Sequence, residues 1–191
     1  MSDTVTSGQA DLLLRLARKT IRDHLTMDSD EACEPPGDDV FDEEGATFVT
    51  LKRDGQLRGC IGNLEPSGTL WESIRRNAIN AAFYDSRFSP LTEDELADVH
   101  IDISILSQPR PLYYTDANDL LVKLCPGKDG VVLRHRGRGA TFLPQVWEQL
   151  PSVELFLGHL CRKAGLADDC WQTEHPEILV YQVQSFAEEN K

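Results

Sequence analysis

Residues 47–62 read Thr47-Phe48-Val49-Thr50-Leu51-Lys52-Arg53-Asp54-Gly55-Gln56-Leu57-Arg58-Gly59-Cys60-Ile61-Gly62, two strand-like runs around Asp54-Gly55. An Asp-Gly pair between such runs specifies a tight hairpin, because both turn residues take positive φ. A second hairpin is read from Gly130–His135 and Gly139–Leu143 around Arg136-Gly137-Arg138. Between them, Val99–Leu106 puts Val99, Ile101, Ile103 and Ile105 on one face and His100, Asp102 and Ser104 on the other. That alternation predicts a half-buried strand, stopped by Pro109 and Pro111. Glu177–Phe186 reads as a closing strand.

Helical spacing predicts a first helix over 9–25, a second over Thr69–Phe83 and a last over Ser152–Ala164, with Gly165 at the C-cap position. Shorter helical pieces start at Thr92, where Glu95 completes a capping-box pattern, and run over Asp116–Leu124. Pro144-Gln145 opens a further helical turn. Helices and strands are interleaved, but two strand connections are hairpins. The expected fold class is therefore α+β, with mixed or antiparallel sheets and flanking helices, not a doubly wound sheet.

The chain has 191 residues, enough for one domain or two small ones. Its 40% hydrophobic and 27% charged residues are those of a globular protein. No apolar run exceeds four residues (Ala81–Tyr84, Ile178–Tyr181), so neither a membrane span nor a signal-peptide core is read. With 32 acidic and 19 basic side chains the net charge is −13, which argues against nucleic acid as a partner. Nine of the acids fall in 28–44, together with Pro35, Pro36 and Gly37 and no Lys or Arg. That stretch reads as a solvated, flexible acidic loop, and it lacks the spacing of a calcium loop. Five cysteines (Cys33, Cys60, Cys125, Cys161, Cys170) form no CxxC pair, so neither a disulfide framework nor a zinc site is expected. With no export signal, a reducing cytoplasm is the expected setting.

The chemistry concentrates in Leu57-Arg58-Gly59-Cys60-Ile61-Gly62. On a strand, period two would put Arg58, Cys60 and Gly62 on one face: a guanidinium, a thiol and an open spot of backbone. Glycines inside a strand mark a place where something approaches the backbone closely. A charge pair at roughly 7 Å is worth about 2.4 kcal/mol at an effective dielectric of 20, so Arg58 favours a reactive Cys60 without producing one alone. The competing reading is a small buried packing residue.

This hexapeptide, LRGCIG, resembles the hallmark of the AMMECR domain family, called protein A of the AmmeMemoRadiSam system in bacteria. The resemblance continues through Ala82-Phe83-Tyr84-Asp85-Ser86-Arg87-Phe88-Ser89-Pro90-Leu91, Ile103-Ser104-Ile105-Leu106, Gly127 and Gly130, Phe142-Leu143-Pro144-Gln145-Val146-Trp147, and Lys163-Ala164-Gly165-Leu166 with Trp171. It covers roughly residues 10–185. It implies one AMMECR-like domain over 1–191, built of two unequal, interleaved subdomains with a cleft that the hexapeptide helps to line. It brings no assigned activity. By association it implies Memo-like and radical-SAM proteins as partners.

The residues carried over are Arg58, Gly59, Gly62, Asp85, Arg87, Gln145 and Lys163 as ligand-binding candidates, with Cys60 as candidate nucleophile. Cations, an amide, a carboxylate and a thiol together would suit a small anionic metabolite. For Asp85 and Arg87 the plainer reading is a local bridge fixing the turn after the second helix. Lys163 would equally serve its helix C-terminus. No histidine (His24, His100, His135, His159, His175) is assigned as a base for Cys60, and no cluster has metal-ligand spacing, so no metal or cofactor is expected. The basic run Arg134–Arg138 lacks interleaved aromatics and reads as a solvated hairpin tip. Two functions follow: an enzyme or enzyme-complex subunit acting on a small anionic molecule, or a non-catalytic adaptor for a protein partner.

Overall fold

The computed structural model describes residues 5–26, 35 and 37–189. The chain divides into two compact units, residues 1–106 with 184–191, and residues 107–183. The fold is α+β, and each unit holds one four-stranded sheet.

In the first unit, α1 (Ser7–Thr26) and α2 (Leu70–Phe83) cover one face of a sheet ordered β2-β1-β3-β8. Its strands are β1 (Ala46–Arg53), β2 (Gln56–Gly62), β3 (Val99–Leu106) and β8 (Val183–Ala187). The Asp54-Gly55 turn forms as read, with φ of 52° and 75°, and pairs β1 with β2 antiparallel. Alternation does the rest. Val49 and Leu51 of β1 and Ile101 and Ile103 of β3 are fully buried beneath Leu13, Ala17 and Ile21 of α1 and Ile74 and Ala78 of α2. Thr69 and Glu72 form a complete capping box that starts α2. A one-turn helix, α3 (Glu93–Leu96), starts with the capping box of Thr92 and Glu95.

The second unit has a sheet ordered β4-β7-β5-β6, from β4 (Arg110–Pro111), β5 (Gly130–His135), β6 (Arg138–Phe142) and β7 (Glu177–Tyr181). Its helices are α4 (Ala117–Lys123), α5 (Val153–Lys163) and α6 (Cys170–Thr173). Leu133, Phe156, Leu157, Leu160 and Ile178 make its separate core, with Trp147 stacked on Phe156 at 3.7 Å.

Three expectations change. The closing strand is two strands: β7 belongs to the second sheet and β8 to the first. Gln182 separates them, its N–H donating to Ser107 Oγ and its carbonyl accepting from Ser107 N–H. Apolar alternation continues across Gln182, so the pattern alone cannot show the change of sheet. The second hairpin turns on two residues, Arg136 and Gly137 (φ 49° and 76°), which leaves Arg138 in the strand. As expected, the strand read over Val99–Leu106 ends at Leu106, before Pro109 and Pro111; Pro111 itself sits in the edge strand β4, where a missing N–H costs no ladder bond.

The third change concerns the acidic stretch. Residues 28–34 and Pro36 lie outside the described residues. From Asp38 onward the chain is part of the first unit. A 3-10 turn (Asp39–Phe41) puts the Phe41 ring in the core, 5.4 Å from Trp71.

The cysteines also differ from expectation. Cys161 on α5 and Cys170 on α6 form a disulfide, and both are fully buried. An odd count without CxxC does not exclude a single bond across a helix–helix corner; here Gly165 in a left-handed conformation turns the chain back. Closing a loop of about ten residues constrains the unfolded chain by about 2.7 kcal/mol. Reduction is therefore expected to lower Tm by about 5–10 °C in calorimetry with and without reductant. An unchanged Tm, with both cysteines shown to be free thiols by mass spectrometry after alkylation in denaturant, would show that packing alone holds this corner.

Candidate functional site

In the first unit β2 is an edge strand, so half of its backbone groups face away from β1. The turn after α2 supplies partners for one of those peptides. Asp85 Oδ2 accepts from the Cys60 N–H at 2.9 Å, and Arg87 Nη2 donates to the Cys60 carbonyl at 3.1 Å. Arg87 also grips Asp85 through Nε and Nη2 at 2.9 and 2.7 Å. The two side chains thus stand where a neighbouring strand would. Asp85 is 5% exposed, and the Arg87 side chain is 53% exposed. The Arg87 guanidinium, reinforced by the Cys60 and Arg87 N–H groups, holds the Asp85 carboxyl well below the usual carboxylate range. Asp85 in turn raises the pKa of Arg87.

Cys60 is half-buried, and its Sγ accepts a hydrogen bond from Thr50 Oγ1 at 3.2 Å. Thr50 lies between Cys60 and Asp102 in the cross-strand register. Asp102 pairs with Lys52, and His100 Nε2 is 3.8 Å from its other oxygen.

Arg58 departs from strict alternation. The β1–β2 register pairs Leu51 with Gly59 and Lys52 with Leu57, so Arg58 is the extra residue of a bulge. The bulge turns it to Glu95, which it binds through Nε and Nη2 at 3.1 and 2.9 Å. Arg58 lowers the Glu95 pKa to about 2. Arg53 adds a second cation to Glu95 at 3.0 Å. Phe88 lies near both guanidiniums, its ring centroid 5.9 Å from Arg58 and 5.5 Å from Arg87. One donor, Arg58 Nη1, is buried without a hydrogen-bond partner among the described residues.

The two glycines are not open backbone. A Cβ on Gly59 would come closer than 3.0 Å to the Ala81 carbonyl oxygen, and one on Gly62 equally close to the Phe48 ring and the Thr47 carbonyl. What approaches the backbone is α2 at the first and β1 at the second. The expectation of a bare backbone spot beside Cys60 is corrected accordingly.

Of the sequence candidates, Arg58, Cys60, Asp85 and Arg87 come together in the first unit. Gln145 and Lys163 belong to the second. Gln145 is exposed on a 3-10 turn (Pro144–Glu148). Lys163 Nζ donates to the Thr141 carbonyl at 2.9 Å and lies 4.9 Å from the Phe142 ring centroid, tying α5 to β6. In the basic hairpin His135 and Arg136 both meet Glu174, at 2.7 and 3.4 Å, and Arg138 donates to the Gly165 carbonyl. Among the described residues no group of three or more His, Cys, Asp or Glu could hold a metal ion, and no helix is long and apolar enough to cross a membrane.

Sequence reasoning missed Glu95 and Thr50, and a buried polar cluster at the other end of β2. There Asn77 Nδ2 donates to the Thr47 carbonyl, Thr47 Oγ1 and Asn63 Oδ1 at 2.9–3.0 Å, while Thr47 and Ser73 share a hydrogen bond at 2.9 Å. The available signal was Ser73 and Asn77, four residues apart on the face of α2 that also carries Leu70, Ile74 and Ala81. Buried polar groups at such positions must be satisfied.

Comparison with known proteins agrees with this architecture. A family model described as AMMECR1 matches residues 14–186. A protein of Methanopyrus kandleri is 36% identical over 197 residues, covering 99% of this chain and 93% of its own. One of Methanosarcina barkeri is 38% identical over 183 residues, covering 92% and 88%. The crystal structure of a Pyrococcus horikoshii protein superposes with a TM-score of 0.76 at 32% identity, covering 93% of this chain and 90% of that one. The chain belongs to the AMMECR1 family.

Proposed function

We propose that the protein is an enzyme, or a subunit of an enzyme complex, whose reactive group is Cys60 and whose substrate is a small anionic molecule. The observation that supports this most is the peptide of Cys60. A buried carboxylate and an arginine hold both its N–H and its carbonyl, and a hydroxyl meets its sulfur. Holding a nucleophile within a few tenths of an ångström by neighbours that are themselves locked is what a reactive site requires. The buried, unpartnered Arg58 Nη1 is a donor that a substrate oxygen would satisfy. Partners of the Memo-like and radical-SAM kind follow from the family resemblance. A cytoplasmic setting is compatible with the Cys161–Cys170 bond, because burial keeps it from small thiols.

A second reading has its own support. Arg58 and Arg87 are each already neutralised, by Glu95 and Asp85. An adaptor needs the same clamp only to keep the β2 edge from pairing with other chains.

Iodoacetamide separates the two readings. The Cys60 thiolate displaces iodide to form a thioether, and the thiol proton goes to solvent. Cys125 is an exposed free thiol and serves as the internal reference. If Cys60 is the reactive group, it labels faster than Cys125 in peptide-resolved mass spectrometry, although it is less exposed. Slower labelling of Cys60 would leave the adaptor reading, in which Cys60→Ala retains partner capture while charge reversal at Arg87 weakens it.

A further inference from the structure

β1 is a central strand, flanked by β2 and β3, so the backbone at Thr50 is fixed on both sides. Its β-branched side chain has restricted χ1 freedom, and its hydroxyl lies 3.2 Å from Cys60 Sγ. The carboxylate on its other side, Asp102, is engaged by Lys52. We propose that Thr50 is a positioning residue for Cys60, its hydroxyl donating to the sulfur and favouring the anionic, nucleophilic form. This rests on the reading of Cys60 as the reactive group.

The physical basis is the difference between two hydrogen bonds. A hydroxyl bonds a neutral thiol weakly, because sulfur is a poor acceptor. The same hydroxyl bonds a thiolate with charge assistance, roughly twice as strongly as a neutral acceptor. Among the described residues the charged groups around Cys60 make no hydrogen bond to its sulfur. Asp85 and Arg87, from the turn after α2, hold its peptide, and the Arg87 guanidinium also interacts with Cys60 through its charge. Arg58 is turned to Glu95 by the bulge. Lys52, Asp102 and His100 form their own group on β1 and β3. Among the described residues, Thr50 is the donor that reaches the sulfur itself.

The test compares Thr50→Val, which keeps the branched shape and removes the hydroxyl, with Thr50→Ser, which keeps the hydroxyl. Cys60 alkylation by iodoacetamide is followed against Cys125 in each protein. At pH 7 the valine variant is expected to label Cys60 about three- to fivefold more slowly, and the serine variant within about twofold of wild type. At about pH 10, where thiols of either kind are largely ionised, the valine deficit should disappear. Equal rates for wild type and Thr50→Val at pH 7 would overturn the proposal. So would a deficit that persists unchanged at pH 10, since that reports access to the sulfur and not its charge. A wild-type Cys60 slower than Cys125 would instead remove the underlying reading, and the role of Thr50 with it.

Discussion

Gly59→Ala is expected to destabilise the first unit by about 3 kcal/mol or more, the upper range for overpacking a core. Gly59 is buried, paired with Leu51 on β1 and lying under the last turn of α2. The added methyl would meet the Ala81 carbonyl oxygen closer than 3.0 Å, with the carbonyl carbon at 3.2 Å. A side chain in that place could turn aside; a helical carbonyl cannot. Relief requires lifting the end of α2, where Ala81 and Ala82 are 1% and 2% exposed, or shifting β2 against β1. Either movement also pulls Asp85 away from the Cys60 N–H, since Asp85 follows α2 by two residues. Urea unfolding should show the lost stability, with Gly8→Ala as control, because nothing lies within 4 Å of a Cβ there. A Gly59→Ala midpoint within experimental error of wild type would mean that α2 does not rest on β2 as described.

The same glycine shows what the sequence could and could not reveal. A hairpin at Asp54-Gly55 and a half-buried strand at Val99–Leu106 were legible because turn chemistry and period-two alternation are local. That something approaches the backbone at Gly59 and Gly62 was legible too, but not that it would be α2 and β1. Such partners are fixed by tertiary packing. Arg58 and Cys60 were placed on one face by alternation, and a bulge broke the alternation between them. A bulge has no firm sequence signature, and its effect was to give Arg58 to Glu95, 37 residues away. Thr50 escaped notice for a related reason. A threonine on a strand is unremarkable until the register shows which residue it faces. Asp85 and Arg87 were legible as a bridge because they are two residues apart. Their second role, closing the edge of β2 at Cys60, depends on a contact 25 residues distant.

That second role makes Asp85→Ala the other large expected effect, about 2–4 kcal/mol at pH 7. The substitution removes charge-assisted bonds to Arg87 and leaves the Cys60 N–H without an acceptor. Arg87→Ala should also be costly, because it leaves the buried Asp85 carboxylate without its counter-ion, although the N–H groups of Cys60 and of residue 87 still donate to it. The pH dependence follows from the direction of the shift. Folding depresses the Asp85 pKa, so its contribution is complete above the ordinary Asp value of about 4 and is lost as the pH falls below it. Glu95 adds to the same acid sensitivity from its ordinary 4.5 down to about 2. The stability gap between wild type and Asp85→Ala is therefore expected to be widest near neutrality and to narrow steadily below about pH 4. Urea unfolding at about pH 7, 4 and 2.5 would measure it. A gap that stays constant over that range would mean that the Asp85 side chain acts by filling space, and that the clamp on Cys60 is steric and not electrostatic.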